Sequence, residues 1–164
     1  MADGGASTFI LLVTALLVSS SVSIVLINQW GDMSSAIEDD RRGKEADTKT
    51  SVSFAGDAME VEYDDSVSPH QMTFYLQNTG QYVLDESTLV VIVDGASVTS
   101  SITATIVPTG TVWNDVKLLK VEVSSNSWAY QNNDGVSLSV VVSSDATSGF
   151  RGTDSLTMEV RLDV

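Results

Sequence analysis

An uncharged hydrophobic segment near the start of the chain constrains its fold more than any other feature. Asp3 and Asp32 flank 28 residues, from Gly4 to Gly31, that include no charged side chain. As a helix this segment would be about 42 Å long, more than the roughly 30 Å of a bilayer's hydrocarbon core. We therefore predict a hydrophobic N-terminal transmembrane or assembly helix over residues 1–30.

The segment is unlike a cleaved signal peptide. A signal peptide begins with basic residues and ends at a small-residue cleavage site. Here the first seven residues, MADGGAS, contain an acid and no Lys or Arg, and the apolar run ends at Asn28, Gln29 and Trp30 without an A-x-A sequence. We expect the helix to be retained in the mature protein.

Small and polar side chains within the segment indicate a helix-packing surface. One set recurs every seven residues and shares a helical face, and a second recurs every four residues as a row of small side chains. The first set is Ser7, Thr14, Ser21 and Asn28, and the second is Ala15, Ser19 and Ser23. Such rows let helix backbones approach closely in a membrane. The alternative is a plain anchor, in which each hydroxyl bonds a carbonyl of its own helix.

The segment ends at an aromatic residue and is followed by a polar stretch. Trp30 stands where an aromatic side chain at the membrane interface is expected. Residues 31–49 are predicted to form a polar, amphipathic extension of the helix or a linker. In this stretch Glu38 precedes Arg41 and Arg42 at ion-pair spacing, and Gly43 is predicted to end the helix.

From residue 50 the pattern changes to a period of two, which predicts an exterior β domain over residues 50–164. The Asn, Asp and Gly residues at 78–80, 94–95 and 133–135 are typical of tight turns. Short strands with this spacing favour an antiparallel, immunoglobulin-like β-sandwich. The predicted fold is thus mainly β with one long N-terminal α-helix. The predicted strands are Thr50–Ala55, Ala58–Tyr63, Gln71–Asn78, Leu89–Val93, Val98–Val107, Val116–Ser124, Val136–Ser143 and Leu156–Leu162.

One predicted strand has an irregular pattern. In VKLLKVEVS the apolar positions change from even to odd numbers. This change predicts a β-bulge near Leu119 or Lys120.

Charge and composition exclude several functions. The net charge is −14, and residues 51–164 carry fifteen acids against four bases. Such a domain repels nucleic acid, so no nucleic-acid partner is expected. The chain has no cysteine, which excludes disulfides and thiolate metal sites.

The sequence contains no pattern of catalytic residues. His70 is the one histidine, in a predicted loop, and no nucleophile elbow or phosphate-binding loop occurs. The acid pairs Asp39-Asp40 and Asp64-Asp65 and the turn at 132–135 lack the spacing of a calcium loop, so solvated turns are the preferred interpretation. We predict no enzyme activity, no cofactor and no metal.

Three stretches together resemble a known family. They are ASTFILLVTALLVSSSVSIVLINQ running into DMSSAIEDD, TFYLQNTGQYVL followed by VVIVDG, and DGVSLSVVV followed by DSLTMEV. The chain resembles the archaeal type IV pilin-like proteins, and within them the protein G type of archaellum accessory subunit. The resemblance implies a non-enzymatic, stator-like component of the archaeal motility apparatus. Its implied partners are its own copies or a related pilin-like archaellum subunit, the surface-layer protein, the archaellum motor and the membrane.

Two other interpretations remain open. The chain could be a filament subunit of archaellin or type IV pilin type, with its helix packed in the filament core. It could also be a membrane-anchored adhesion module that acts alone. The expected location is the cell envelope, with the chain anchored in the cytoplasmic membrane and its β domain outside, or an extracellular archaellum filament.

Overall fold

The computed structural model describes residues 3–115, 117–146 and 149–164. Within these ranges one helix precedes nine strands, and the chain divides after Arg41 into two compact units. Helix α1 covers Asp3–Lys49, and a short 3-10 turn covers Thr99–Ser101. The strands are β1 (Val52–Ala55), β2 (Val61–Asp64), β3 (His70–Asn78), β4 (Leu84–Val93), β5 (Ala96–Ser97), β6 (Ile102–Val107), β7 (Leu118–Ser125), β8 (Gly135–Ser144) and β9 (Thr153–Asp163).

Helix α1 continues through Gly43, so the predicted stop at this residue is wrong. A glycine inside a helix costs only about 1 kcal/mol relative to alanine, and contacts of the following turn offset that cost. Ala46 is 2% exposed, and the Asp47 carboxylate accepts a 3.0 Å bond from the backbone N–H of Thr153. An ion pair of 2.6 Å joins Lys49 to Glu45 across the last turn. The end of the helix is thereby folded as part of the β domain.

The strands form two sheets that are joined along one side. The first sheet contains β2, β3, β7 and β6, with β1 also paired to β3, and the second contains β5, β4, β8 and β9. Strands β2 and β9 pair in parallel, with Val61 opposite Leu162, and connect the two sheets. The prediction of a mainly β fold with one long N-terminal helix is confirmed. The β2–β9 pair corrects the expectation that every pair would be antiparallel.

Alternating side chains from both sheets fill one hydrophobic core. In β7 the inward residues Leu119, Val121 and Val123 are fully buried, and in β8 every second residue is buried from Val136 to Val142. Burial of each such side chain contributes about 1.5–3 kcal/mol. The largest fully buried side chains are Trp113, Phe74, Met72, Leu76, Leu84, Leu119, Leu138 and Leu162.

All eight predicted strands have a counterpart, but the predicted bulge is wrong. Strand β7 pairs with β3 without a register shift from Leu118 to Ser125. Leu118 is an apolar residue on the outer face, half-buried, and it produced the misleading pattern. Val116, where that strand was predicted to begin, lies outside the described residues. A register shift occurs instead in β4, between Asp85 and Val90.

The predicted turns form, for two different reasons. Asp94, Gly95 and Asn133 adopt φ angles of 48°, 80° and 67°, the left-handed region that Asn, Asp and Gly tolerate. The turn at 78–80 instead depends on the side chain of Asn78. Its Nδ2 donates to the carbonyls of Tyr82 and Trp113 at 2.7 and 3.1 Å, and its Oδ1 accepts from the N–H of Gly80 at 2.9 Å.

Candidate assembly surface

The N-terminal unit presents large apolar side chains around its whole circumference. Consecutive residues of a helix are separated by about 100°, so four neighbouring apolar residues face four directions. The run from Phe9 to Leu12 is of this kind, and each of its side chains is at least 56% exposed. Leu17 and Ile27 are 64% and 69% exposed, and Trp30 is 71% exposed. A helix that is apolar on all sides belongs in a membrane or a protein core.

This helix is long and apolar enough to cross a membrane, by length and composition. The prediction that Trp30 lies at a membrane interface stays a prediction. The same properties suit a helix that is enclosed by other helices.

The predicted packing residues occupy the faces that their spacing requires. All seven are exposed: Ser7, Thr14, Ala15, Ser19, Ser21, Ser23 and Asn28. Thr14 and Ser21 donate to the carbonyls of Ile10 and Leu17 at 2.8 and 2.9 Å, and Ser23 donates to Ser19 at 2.9 Å. These hydroxyls are therefore already satisfied within the helix. They would enter a helix–helix contact as small side chains and not as unpaired donors.

The last turns of α1 are bonded to the β domain at several points. The carbonyl of Lys49 accepts bonds from the N–H groups of Gln81 and Tyr82 at 2.7 and 3.2 Å. The Asp154 carboxylate accepts a 2.8 Å bond from the N–H of Val52, the first residue of β1. Thr50 is 3% exposed, and its hydroxyl bonds the carbonyl of Ala46 at 2.8 Å. The helix end is thus bonded to the β domain.

Two glycines make this junction possible, because backbone of the helix end lies directly against them. A Cβ on Gly80 would lie 2.5 Å from the carbonyl oxygen of Lys49 and 2.6 Å from the N of Ser51. A Cβ on Gly152 would overlap the carbonyl of Ala46 and the hydroxyl of Thr50. Sequence reasoning missed this junction, because its partners lie as many as 106 residues apart in the chain.

Residues considered for chemistry have structural roles. The Nδ1 of His70 lies 3.1 Å from the carbonyl oxygen of Asp65. The Asp64 carboxylate caps its own turn, accepting bonds from the hydroxyl and N–H of Ser66 at 2.6 and 2.9 Å, and the hydroxyl bond is the main reason that the pKa of Asp64 lies below its ordinary value. Asp134 accepts a 2.8 Å bond from the N–H of Gln131 within the 132–135 turn. No group of three or more potential metal ligands occurs in the part of the chain that the structure describes.

Comparison with known proteins assigns the family. The model of the family described as archaeal-type flagellin matches residues 2–151, which include the apolar helix and most of the β domain. The chain belongs to the archaeal-type flagellin family. It is therefore a structural subunit of the archaellum and pilin-like group, found in the cell envelope or in an extracellular filament.

Other comparisons add little to the family match. Comparison with curated proteins found no match. Among solved structures the chain is similar to AggA, the major subunit of aggregative adherence fimbriae type I from Escherichia coli, at 16% identity with a TM-score of 0.30. That alignment covers 69% of this chain and 92% of AggA, and at this score it carries no argument about fold or function.

The family supports a structural role and not a catalytic one. It also supports the broader part of the resemblance, to archaellum and pilin-like subunits. The match does not distinguish a stator subunit of the protein G type from a filament subunit. It fits a filament subunit at least as well.

Proposed function

We propose that this archaeal-type flagellin is a filament-forming subunit whose N-terminal helix packs in the filament core against helices of other copies. The observation that carries the proposal is the apolar surface of residues 7–30, exposed on every side of the isolated chain. An anchor needs only lipid around such a helix, whereas the family match supports burial by self-association into a filament.

Within that core, the row Ala15, Ser19 and Ser23 is proposed as the line of closest approach between helices. Side chains this small allow dispersion contacts between backbones, and the Ser23 hydroxyl, bonded within its own helix, needs no partner from a neighbouring helix. The face with Ser7, Thr14, Ser21 and Asn28 would lie against a second neighbour. Before assembly, the same helix would hold the subunit in the cytoplasmic membrane, with Trp30 at the interface.

The junction at residues 46–52 suits this role. A filament subunit must transmit force from its core helix to its outer domain. Here the last helical turn is hydrogen-bonded to the β domain through Lys49 and Asp47.

Detergent removal tests the proposal. The full chain, purified alone in detergent, should form long polymers that pellet at high speed once the detergent is diluted. A chain lacking residues 7–30 should stay in the supernatant as a folded monomer. Closed oligomers of a few copies from the full chain would contradict a filament subunit and favour the stator-like interpretation. Monomers held in vesicles would favour a membrane-anchored module that acts alone.

A further inference from the structure

One side of the β-sandwich is closed by strand pairing, and on the opposite side no pairing joins the two end strands among the described residues. The parallel β2–β9 pair joins the two sheets on the closed side. Strands β5 and β6 are the two ends of the strand order, and each is paired with one neighbour among the described strands. Strands at such positions present unpaired backbone N–H and C=O groups, which invite pairing or contact with another chain.

Both open edges come from one continuous uncharged segment. From Gly95 to Asn114, twenty residues include no charged side chain, and Asp94 and Asp115 flank them. This segment, here called the neutral flank, contains β5, the 3-10 turn and β6. Residues 51–164 contain nineteen charged residues, and all of them lie outside the flank.

The flank is held in place from inside and exposed outside. Val98, Ile106 and Trp113 are buried in the core, at 9%, 6% and 0% exposure. Between these anchors the outward side chains are hydroxyls and small apolar groups, with Val107 and Val112 38% and 43% exposed. Sheet edges are usually protected by charges, bulges or a covering element, and β6 has no charged residue.

An open groove of about 390 Å³ adjoins the flank, and its lining is likewise uncharged. Its lining includes Ser97, Ser100 and Ser101 from the flank, together with Ser124 and Asn126. The charges beside the flank nearly balance, with Asp94 and Asp115 at its two ends and three charged side chains on the neighbouring stretch of chain. Lys120 and Glu122 on the adjacent strand form a 2.7 Å ion pair, and the amine of Lys117 lies beside Gly110.

We infer that the neutral flank is the surface through which the β domain contacts a second copy of this chain, an inference that rests on the proposed filament function. Each copy carries a net charge of −14, so contacts between copies are opposed wherever carboxylates would face each other. Because the flank carries no charged side chain, it lacks this repulsion, and it contains the two end strands β5 and β6. The contact is head-to-tail, as a helical filament requires, with the flank of one subunit against a different surface of the next.

Cysteine labelling tests the inference directly, because the natural chain contains no cysteine. Thr105→Cys places a thiol at an exposed position of β6, and Ser66→Cys places one in the exposed acidic turn after β2. The rate of reaction with a maleimide is measured for each variant in assembled polymer and in detergent-dissolved subunit. Each polymer rate is divided by the rate of the same variant when dissolved.

The thiol at position 105 should react about tenfold or more slowly in the polymer, because a site buried in a contact reacts only when the contact opens. The thiol at position 66 should react at the same rate in both states. Polymers with an unprotected position 105, or with equal protection at both positions, would overturn the flank contact and leave the filament function standing. Absence of any polymer from the natural chain would overturn the filament function, and this inference with it.

Discussion

The junction between helix and β domain gives the sharpest quantitative prediction, through Gly80→Ala. The added methyl group would lie 2.5 Å from the Lys49 carbonyl oxygen and 2.6 Å from the Ser51 N, where ordinary contacts begin at 3.4 Å. Both obstacles are backbone atoms, so one of the two segments must move by nearly 1 Å. The movement strains the bonds from Gln81 and Tyr82 to Lys49.

The cost follows from these contacts. Overpacking in a well-packed region costs about 1–3 kcal/mol, and each weakened hydrogen bond adds about 1 kcal/mol. We expect the free energy of unfolding of the β domain to fall by about 3 kcal/mol. For a domain of this size that loss lowers the melting temperature by about 10 °C.

Thermal unfolding of the full chain in detergent, followed by tryptophan fluorescence, measures the loss, since Trp113 is fully buried in the domain. Gly110→Ala is the matched control, because a methyl group there meets only the flexible end of the Lys117 side chain. The control should melt within about 2 °C of the natural chain. A Gly80→Ala protein that melts with the control would refute the close approach of the helix end to the 78–82 turn.

Three further predictions concern the core, pH and helix packing. Trp113→Ala should destabilise the domain by about 3–5 kcal/mol, measured by urea unfolding, and a loss below about 1 kcal/mol would contradict its place in the core. The Ser87 hydroxyl, and after it Arg151, hold the pKa of Asp85 below its ordinary value, so its stabilising effect is present above the unfolded pKa and lost as pH falls through the folded one. Melting temperatures between pH 7 and pH 3 should therefore fall less steeply for Asp85→Asn, and parallel curves would refute this. Ser19→Leu combined with Ser23→Leu should raise the protein concentration needed for polymerisation, whereas Val18→Leu should leave it nearly unchanged, and equal values for both would contradict packing through the small-residue row.

The sequence was sufficient to predict features that depend on local pattern. The uncharged run predicted a helix, and the alternation of apolar residues located eight strands of the β domain. Asn, Asp and Gly marked turns correctly at 94–95 and 133–135, where positive φ is needed. Each of these signals is contained within a few neighbouring residues.

Features that depend on contacts between distant parts of the chain could not be predicted this way. The parallel pairing of Val61 with Leu162 and the approach of Gly152 to Ala46 leave no local pattern. Distant contacts of the last helical turn, such as the bond from Thr153 to Asp47, also stabilise the helix beyond Gly43, a residue that locally favours a helix end. Strand β5, of two residues, was too short for a periodic signal. The apolar pattern around Leu118 wrongly predicted a bulge, because this residue lies on a half-buried outer face that tolerates an apolar side chain.

For the candidate assembly surface too, one part could be predicted from local sequence pattern and another part could not. The helix faces could be proposed from spacing alone, since a continuous helix fixes which residues align. The open side of the sandwich could not be recognised without the strand order, although the uncharged run from Gly95 to Asn114 is visible in the sequence. Only the strand order shows that this run contains both end strands, β5 and β6.

The central claim is that residues 7–30 are buried among helices of other copies of this chain. Electron microscopy with helical reconstruction, on polymers grown from the purified full chain after detergent removal, tests it most directly. The account predicts filaments of this chain alone, with rod-shaped helix density along the axis and β domains outside. Helices embedded singly in lipid, or closed rings of a few subunits without axial growth, would contradict it.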